Sequence, residues 1–410
     1  MMAQVDAQLE QHYAHLDALY KEIHQHPELA FQETATAAKL AKEMRALGFE
    51  VTERVGKTGL VAVLRHGDGP TVMVRTELDA LPMEEKTGLP YASHVHAMWN
   101  GRDVPVAHTC RHDVHMAAWI GTAQVMAAMK AQWRGTLMFI AQPAEETGLG
   151  AQAMIDDGLF TRFGKPDIGC ALHVVPAPAG VVIYGAGMAT SNMDSLEIIF
   201  RGRGGHGAAP DAAIDPVLEA GRFIVDVQSV VSREKDPAAF GVVTIGALQA
   251  GSVGNIIPDQ AELRGTIRSY DLAVREKMLA GVKRTANAVA DMAGAARPEV
   301  VIGREAAKAV VNDGAISART GQLFQSAFGK DVVPATKPTS ASEDYSAFIA
   351  AGVPSLFFGI GALDLTVFVD AKSGKPIPSN HSPYFAPLPE PTIRRAVEAM
   401  SLAILGALQQ

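Results

Sequence analysis

The segment AHTCRHDVH, residues 107–115, concentrates side chains that hold transition metals. Cys110 and His112 stand two apart, just before an apolar stretch. In a loop or extended segment, positions i and i+2 can converge on one ion, and a thiolate with an imidazole suits a borderline-soft divalent cation. Asp113 could accept the second ring proton of a ligand histidine, or shape the loop. Taken alone, Cys110 also reads as a small buried hydrophobe. Five of the 13 histidines (His94, His96, His108, His112 and His115) crowd into residues 94–115, so their density argues for a site.

Two further segments point the same way. TLMFIA (136–141) reads as a buried strand running into QPAEETGLG. That places the adjacent acids Glu145 and Glu146 at its carboxyl tip, where open α/β sheets carry their sites. Neighbouring carboxylates need not share a task. One can ligate a cation while the other takes a proton from water; an acidic helix start is the competing reading. IGCALHV (168–174) is a second apolar strand, and His173 near its end is well placed to be a ligand. Cys170, three residues earlier, falls on the opposite face and reads as core. VMVRTELDALP (72–82) ends a strand in Glu77 and Asp79, two apart. Asp79 could hold a ligand histidine from behind.

Further along, FRGRGGHGAAP (200–210) sets His206 among four glycines. The spacing is not a dinucleotide fingerprint. Glycines around one histidine allow close backbone approach, and His206 could polarise a substrate carbonyl. Asn255 in GNIIPD and Arg268 in RGTIRS are possible donors to a substrate carboxylate or amide. SNHSPYF (379–385) places His381 among turn formers.

These residues need a scaffold. Apolar spacing predicts helices over 14–24, 34–47 (closed by Gly48) and 114–129, and strands over 60–64, 71–74, 136–141 and 168–174. Strands alternating with helices give an α/β layer with helices on both faces. The middle differs: strand 194–200, helix 214–231, strands 242–247 and 261–269, helix 272–291. The order β-α-β-β-α fits a small α+β domain inserted in a larger one. The expected division is a first catalytic part at 1–187, an inserted domain at 188–303 and a second catalytic part at 304–410. Helix 316–328, another starting near 343, and strand 355–359 follow the insertion.

At 410 residues the chain exceeds one ordinary core, in keeping with two domains. Its net charge of −8 argues against nucleic acid or an anionic membrane as partner. No run approaches 18 apolar residues, so no membrane span is expected, and with no apolar leader the expected location is cytoplasmic. The two cysteines do not make a disulfide scaffold.

Taken in order, LDALP (78–82), CRHDVH (110–115), AQPAEE (141–146), HV (173–174), GHGAAP (205–210), GNIIPD (254–259), RGTIR (264–268), SEDY (342–345) and His381 resemble the M20 metallopeptidases. More narrowly they resemble the branch of hippurate hydrolases, aminoacylases and auxin-conjugate hydrolases. The resemblance spans nearly the whole chain. It implies a catalytic α/β domain with a central mixed sheet flanked by helices, interrupted by a lid domain that also mediates dimerisation. It implies two divalent ions (manganese, zinc or cobalt) on Cys110, His112, Glu146, His173 and His381. Glu145 would be the general base and Asp79 the acid of the first motif. His206 would stabilise the oxyanion, while Asn255 and Arg268 would handle the substrate's carboxylate side.

Three features depart from that pattern. Glu77 stands where aspartate is usual, and its extra methylene could re-aim a group behind the ligands. Arg111 stands where glycine is the rule. An arginine beside cations is costly unless its head turns away or meets an acid; it could also reach the substrate and bind an anionic group. The segment between Ser93 and Cys110 is longer than usual and would add Trp99 or Arg102 to the pocket rim. Trp99, Tyr91 and Phe385 near the motifs would suit an aromatic acyl group. The expected reaction is hydrolysis of the amide of an N-acyl amino acid or short peptide-like substrate, by a homodimer. A dipeptidase or aryl-amine hydrolase would use the same site, and a non-catalytic metal- or ligand-binding protein is the alternative of another class.

Overall fold

The structure, a computed structural model, describes residues 2–409. The chain divides into two compact units. One takes the residues through Ala189, then Val310–Lys337 and Asp344 onward; the other takes Thr190–Ala309 and Pro338–Glu343. Against the expected insertion at 188–303, the second unit runs slightly later and gains a short return segment.

The first unit is built on an eight-stranded mixed sheet. In spatial order its strands are Glu50–Val55, Gly59–His66, Gly135–Gln142, Thr71–Glu77, Ile168–Pro178, Ser355–Leu363, Val182–Tyr184 and Val332–Pro334. The four strands in the middle run parallel, with Glu77 opposite Gln142 and His173 opposite Gly359. Thr71–Glu77 and Gly135–Gln142 end together on the carboxyl side, where parallel sheets carry ligands, while Ile168–Pro178 and Ser355–Leu363 run on past that level.

The helix His112–Ala128 is apolar on all sides and buried along most of its length, so it cannot be a surface helix. It packs between the helices Met2–Gln25 and Pro389–Leu408. Gly121 makes this close approach possible: a Cβ there would lie 2.7 Å from a methyl carbon of Leu16 and of Val397. Leu16 and Val397 are fully buried, each worth about 2 kcal/mol in transfer terms. Trp119 on the same helix donates its indole N–H to the Val74 carbonyl of the sheet.

The second unit has a four-stranded antiparallel sheet in the order Gly241–Ala250, Gln260–Ser269, Asn192–Arg201, Glu299–Ala307. Asn192–Arg201 alternates buried and half-buried residues, as a strand covered more on one face should. Helices Pro216–Asp226 and Leu272–Ala293 cover the sheet, and Asp215 and Asp271 cap their N-termini. The helix expected over 214–231 starts behind Asp215 and stops at Asp226, with a separate turn at Val230–Glu234. The helix expected near 343 is only the short Ser346–Ala350. Among the described residues, no helix is long and apolar enough to cross a membrane.

Candidate metal centre

The sheet edge gathers the expected residues of the first unit. Cys110 Sγ lies 3.5 Å from His173 Nε2. His381 Nε2 lies 3.2 Å from Glu146 Oε2. His112 Nε2 stands 3.7 Å from Glu145 Oε2 and 3.9 Å from Glu146 Oε1. The ligand atoms of Cys110, His112 and His173 fall within 4.8 Å of one another, as do those of Cys110, Glu146 and His381.

Two of these atoms test whether a cation fits. His112 Nε2 and Glu146 Oε1 are buried and have no hydrogen-bond partner. Orphaned polar atoms are costly in a protein interior. They face each other at a separation suited to two ligands of one ion rather than to a hydrogen-bonded pair.

Carbonyl partners set the imidazoles for ligation. His112 Nδ1 donates to the Asp79 carbonyl at 2.8 Å, and His173 Nδ1 donates to the Val174 carbonyl at 2.8 Å. Because a carbonyl only accepts, Nδ1 carries the proton in both rings and Nε2 is turned to the site. Burial, with help from the His115 and His112 rings, keeps His173 well below its ordinary pKa, and so neutral. Burial opposes charge on His112, but the Asp79 hydrogen bond and the Glu77 and Glu146 carboxylates outweigh it, and its pKa rises to about 10. Burial first, then Glu146 and Glu145, push the Cys110 thiol well above its usual range. The carboxylates Glu77, Glu145 and Glu146 contribute to the shifts of His112 and Cys110, and a divalent cation would offset that negative charge.

The paired glutamates are aimed by buried carboxylates beneath them. Asp79 is fully buried and accepts the backbone N–H of Glu145 at 3.0 Å and of Glu146 at 2.9 Å. Glu33 accepts the N–H of Ala144 at 2.8 Å and the Thr58 hydroxyl at 2.6 Å. Three consecutive N–H groups are thus fixed, and both glutamate side chains point away from them toward His112. Ala144 holds φ +50°, and Arg111 (+72°) and His381 (+65°) are likewise left-handed. Backbone strain of this kind gathers at sites that geometry over-determines.

Glu77 is also fully buried and bonds to Arg75 and His115, with its carboxylate within 4.8 Å of the rings of His112 and His115. Burial works against its charge, yet Arg75 and His115 hold it below the usual carboxylate range. His115 Nδ1 donates to Glu77 at 3.0 Å, and its Nε2 accepts the Val174 N–H at 2.8 Å. The longer side chain therefore braces the strand that carries His173.

Several expectations are corrected. Asp113 does not hold a ligand histidine: its Oδ2 meets His24 Nδ1 at 2.6 Å, and its Oδ1 accepts the Val114 N–H. His24 in turn meets Glu85 at 3.0 Å. Arg111 does not reach a substrate. It is fully buried, its Nη1 sits 3.4 Å from His24 Nδ1, and its guanidinium lies over the Phe385 ring at 5.5 Å. Its backbone is left-handed, at φ +72°. Tyr91 and Phe385 pack around His24 and Arg111 instead of lining an acyl pocket. The long segment before Cys110 is a hairpin, Val95–Trp99 with Arg102–Val106. Trp99 packs with Leu29, Ala80 and Val106, while Arg102 is exposed at the turn. Of the clustered histidines, His108 is buried and neutral, its pKa lowered by burial to about 3, and His94 and His96 are exposed.

In the second unit, Gly205–His206 pairs with Ile256–Ile257, which brings His206 beside Asn255, both exposed. His206 Nδ1 accepts the Ala208 N–H at 3.0 Å, so its ring proton sits on Nε2. Arg268 lies on the four-stranded sheet and donates to the Ser340 carbonyl and the Ser342 hydroxyl.

Glu33, His24 and Asn380 escaped the sequence reading. Asn380 bonds the carbonyls of Cys110 and Val174. Its place next to His381 was the one local signal.

The comparisons with known proteins agree with this geometry. The model of "Peptidase family M20/M25/M40" matches residues 73–405. Hippurate hydrolase of Campylobacter jejuni is 37% identical over 80% of this chain and 83% of its own length. N-acetylcysteine deacetylase of Bacillus subtilis is 36% identical over 67% of this chain and 70% of its own. The crystal structure of the Bacillus subtilis YXEP protein, described as a dinuclear metal binding peptidase from the M20 family, has a TM-score of 0.76. It is 28% identical and covers 98% of this chain and 99% of that one. With a candidate metal-ligand cluster on the sheet and matches of this breadth, the chain belongs to peptidase family M20/M25/M40 and is a hydrolase of C–N bonds.

Proposed function

We propose that this protein hydrolyses the amide bond of N-acyl amino acids, with hippurate-like compounds as reference substrates. The carrying observation is the pair of facing, unpartnered atoms His112 Nε2 and Glu146 Oε1, with Glu145 Oε2 3.7 Å from the same ring. The identities of the relatives support the substrate class.

In this reading Cys110, His112, Glu146, His173 and His381 hold two divalent ions, with manganese, zinc and cobalt all compatible with the mixed donors. Ions bound there supply Lewis acidity that polarises the amide carbonyl and makes water a nucleophile at neutral pH. Glu145 takes the proton of the attacking water and delivers it to the leaving nitrogen. Asp79 fixes the peptide of Glu145, so that its carboxylate meets the water in one orientation. His206, protonated on Nε2, donates to the developing oxyanion. Asn255 and Arg268 bind the free carboxylate of the leaving amino acid. The substrate is a small molecule; a net charge of −8 does not favour nucleic acid.

The inserted unit also offers a surface for a homodimer. Helix Pro216–Asp226 exposes Val217, Leu218 and Val225, and the edge strand Gly241–Ala250 exposes Val242 and Leu248. An open strand edge beside apolar side chains favours a second copy.

The test is hydrolysis by chelator-stripped protein reloaded with manganese or zinc. The panel is hippurate, N-acetyl amino acids, dipeptides and anthranilate-type aryl amines. Metal-dependent release of the amino acid from hippurate or an N-acetyl amino acid is expected. Full metal loading with no cleavage of any panel member would overturn the proposal.

A further inference from the structure

Asn380 sits where three ligand segments meet. Its side-chain amide donates to the Cys110 carbonyl at 3.2 Å and to the Val174 carbonyl at 3.0 Å. The Val174 carbonyl is the same acceptor that fixes the His173 ring through Nδ1. The next residue, His381, is tied by its backbone N–H to the Thr109 carbonyl at 3.0 Å and adopts φ +65°. A carbonyl has two lone pairs, so Val174 serves His173 and Asn380 together. Both amide hydrogens of Asn380 are thereby spent on main-chain atoms at or next to Cys110 and His173.

We infer that Asn380 is a positioning residue that locks the Cys110, His173 and His381 segments into one ligand set. The inference rests on the metal reading above. His381 is the exposed member, with 56% of its side chain accessible. It arrives on a loop from the far end of the chain, without a helix or strand of its own to hold it. Its ring meets Glu146 from a loop whose pins include the Thr109 carbonyl, the Lys86 N–H to the Pro383 carbonyl, and the two bonds of Asn380. Groups that support metal ligands from behind commonly change affinity by about 10–100-fold when removed.

The experiment compares wild type with Asn380→Ala, Asn380→Leu and Asn380→Ser in titrations of the metal-free protein with Co(II). Stoichiometry comes from elemental analysis, Cys110 ligation from the thiolate-to-cobalt absorption band, and folding from the melting of each metal-free form. Leucine keeps the volume and removes both donors; serine restores one. The expected result is two ions on wild type, with the weaker one bound about 10–100-fold less tightly by the alanine and leucine variants. Their thiolate band should also change, while the metal-free melting stays close to wild type. Serine should recover part of the affinity. An Asn380→Leu variant with wild-type affinity and spectrum overturns the positioning role and leaves the metal reading standing. Wild type that takes up no cobalt overturns the metal reading, and this inference with it. Loss of the melting transition in the metal-free leucine and serine variants assigns Asn380 to the fold alone, which also overturns the inference.

Discussion

Glu33 and Ala144 lie 111 positions apart in the chain, yet the carboxylate of the first accepts the backbone N–H of the second at 2.8 Å. Glu33 is free for this task because Glu28 already accepts the N–H groups of Ala35 and Thr36 at the start of the following helix. Burial, reinforced by nearby Asp79, raises the Glu33 pKa to about 7. Glu33→Gln keeps an acceptor for Ala144 and offers the Thr58 hydroxyl, which now donates to the carboxylate, an amide N–H to accept instead, so kcat should stay near wild type. Glu33→Ala leaves the Ala144 N–H unsatisfied in the loop that aims Glu145, and kcat should fall about tenfold or more with little change in KM. Steady-state kinetics of both variants decide it; equal values would detach Glu33 from the base.

Glu145→Gln should bind metal as wild type does and keep its fold, because the Asp79 bond goes to the residue 145 peptide rather than to its side chain. Turnover of the reference substrate should drop by about 10²–10⁴-fold. Unchanged turnover, at a metal content equal to wild type, would sink the base assignment.

Arg111→Gly tests whether the unusual arginine sets specificity. Glycine suits the φ of +72° better than arginine does. With the head buried over Phe385 and beside His24, the variant should show unchanged KM toward substrates of different charge and an unchanged metal content. A large rise in KM for anionic substrates would restore the side chain to the substrate pocket.

The His24 network predicts a pH dependence of stability. Burial disfavours charge on His24, but the bonds to Asp113 and Glu85 prevail and lift its pKa from 6.5 to about 9. A folded-state pKa above the unfolded one adds stability that is complete below 6.5 and is lost as the pH rises to about 9. The full contribution is on the order of 3 kcal/mol. In urea unfolding of the metal-free protein, the gap between wild type and His24→Gln should be widest near the lower limit and close toward the upper one. A gap that stays constant across this range would remove His24 from the account.

What the sequence revealed and what it hid follow from distance along the chain. Glu145 and Glu146 were legible because they follow the end of a short apolar strand, Gly135–Gln142; His173 was expected at the tip of a strand over 168–174, but that strand runs on to Pro178 and leaves His173 in its middle, level with Glu77 and Gln142. Cys110 and His112 were legible from their spacing. Glu33, Asn380 and the His24–Asp113 pair were not, since their meaning lies in partners 111, 270 and 89 positions away. The helix Pro389–Leu408 went unread although Glu390, Arg394 and Glu398 mark a polar face in its first half; only its second half, from Ala399, is buried throughout and carries no polar stripe. The hairpin did leave a signal: Asn100-Gly101, both at positive φ, is a favoured two-residue turn, flanked here by VHAMW and RDVPV.

The order in which the chain meets its own ligands has a consequence for biosynthesis. Asn380 follows Cys110 by 270 positions, so a ribosome has delivered the thiol and most of the sheet long before the last imidazole exists. Domains form as they emerge, so on the metal reading proposed above the other four ligands are made well before His381, and a complete ligand set would form only after that residue has left the ribosome.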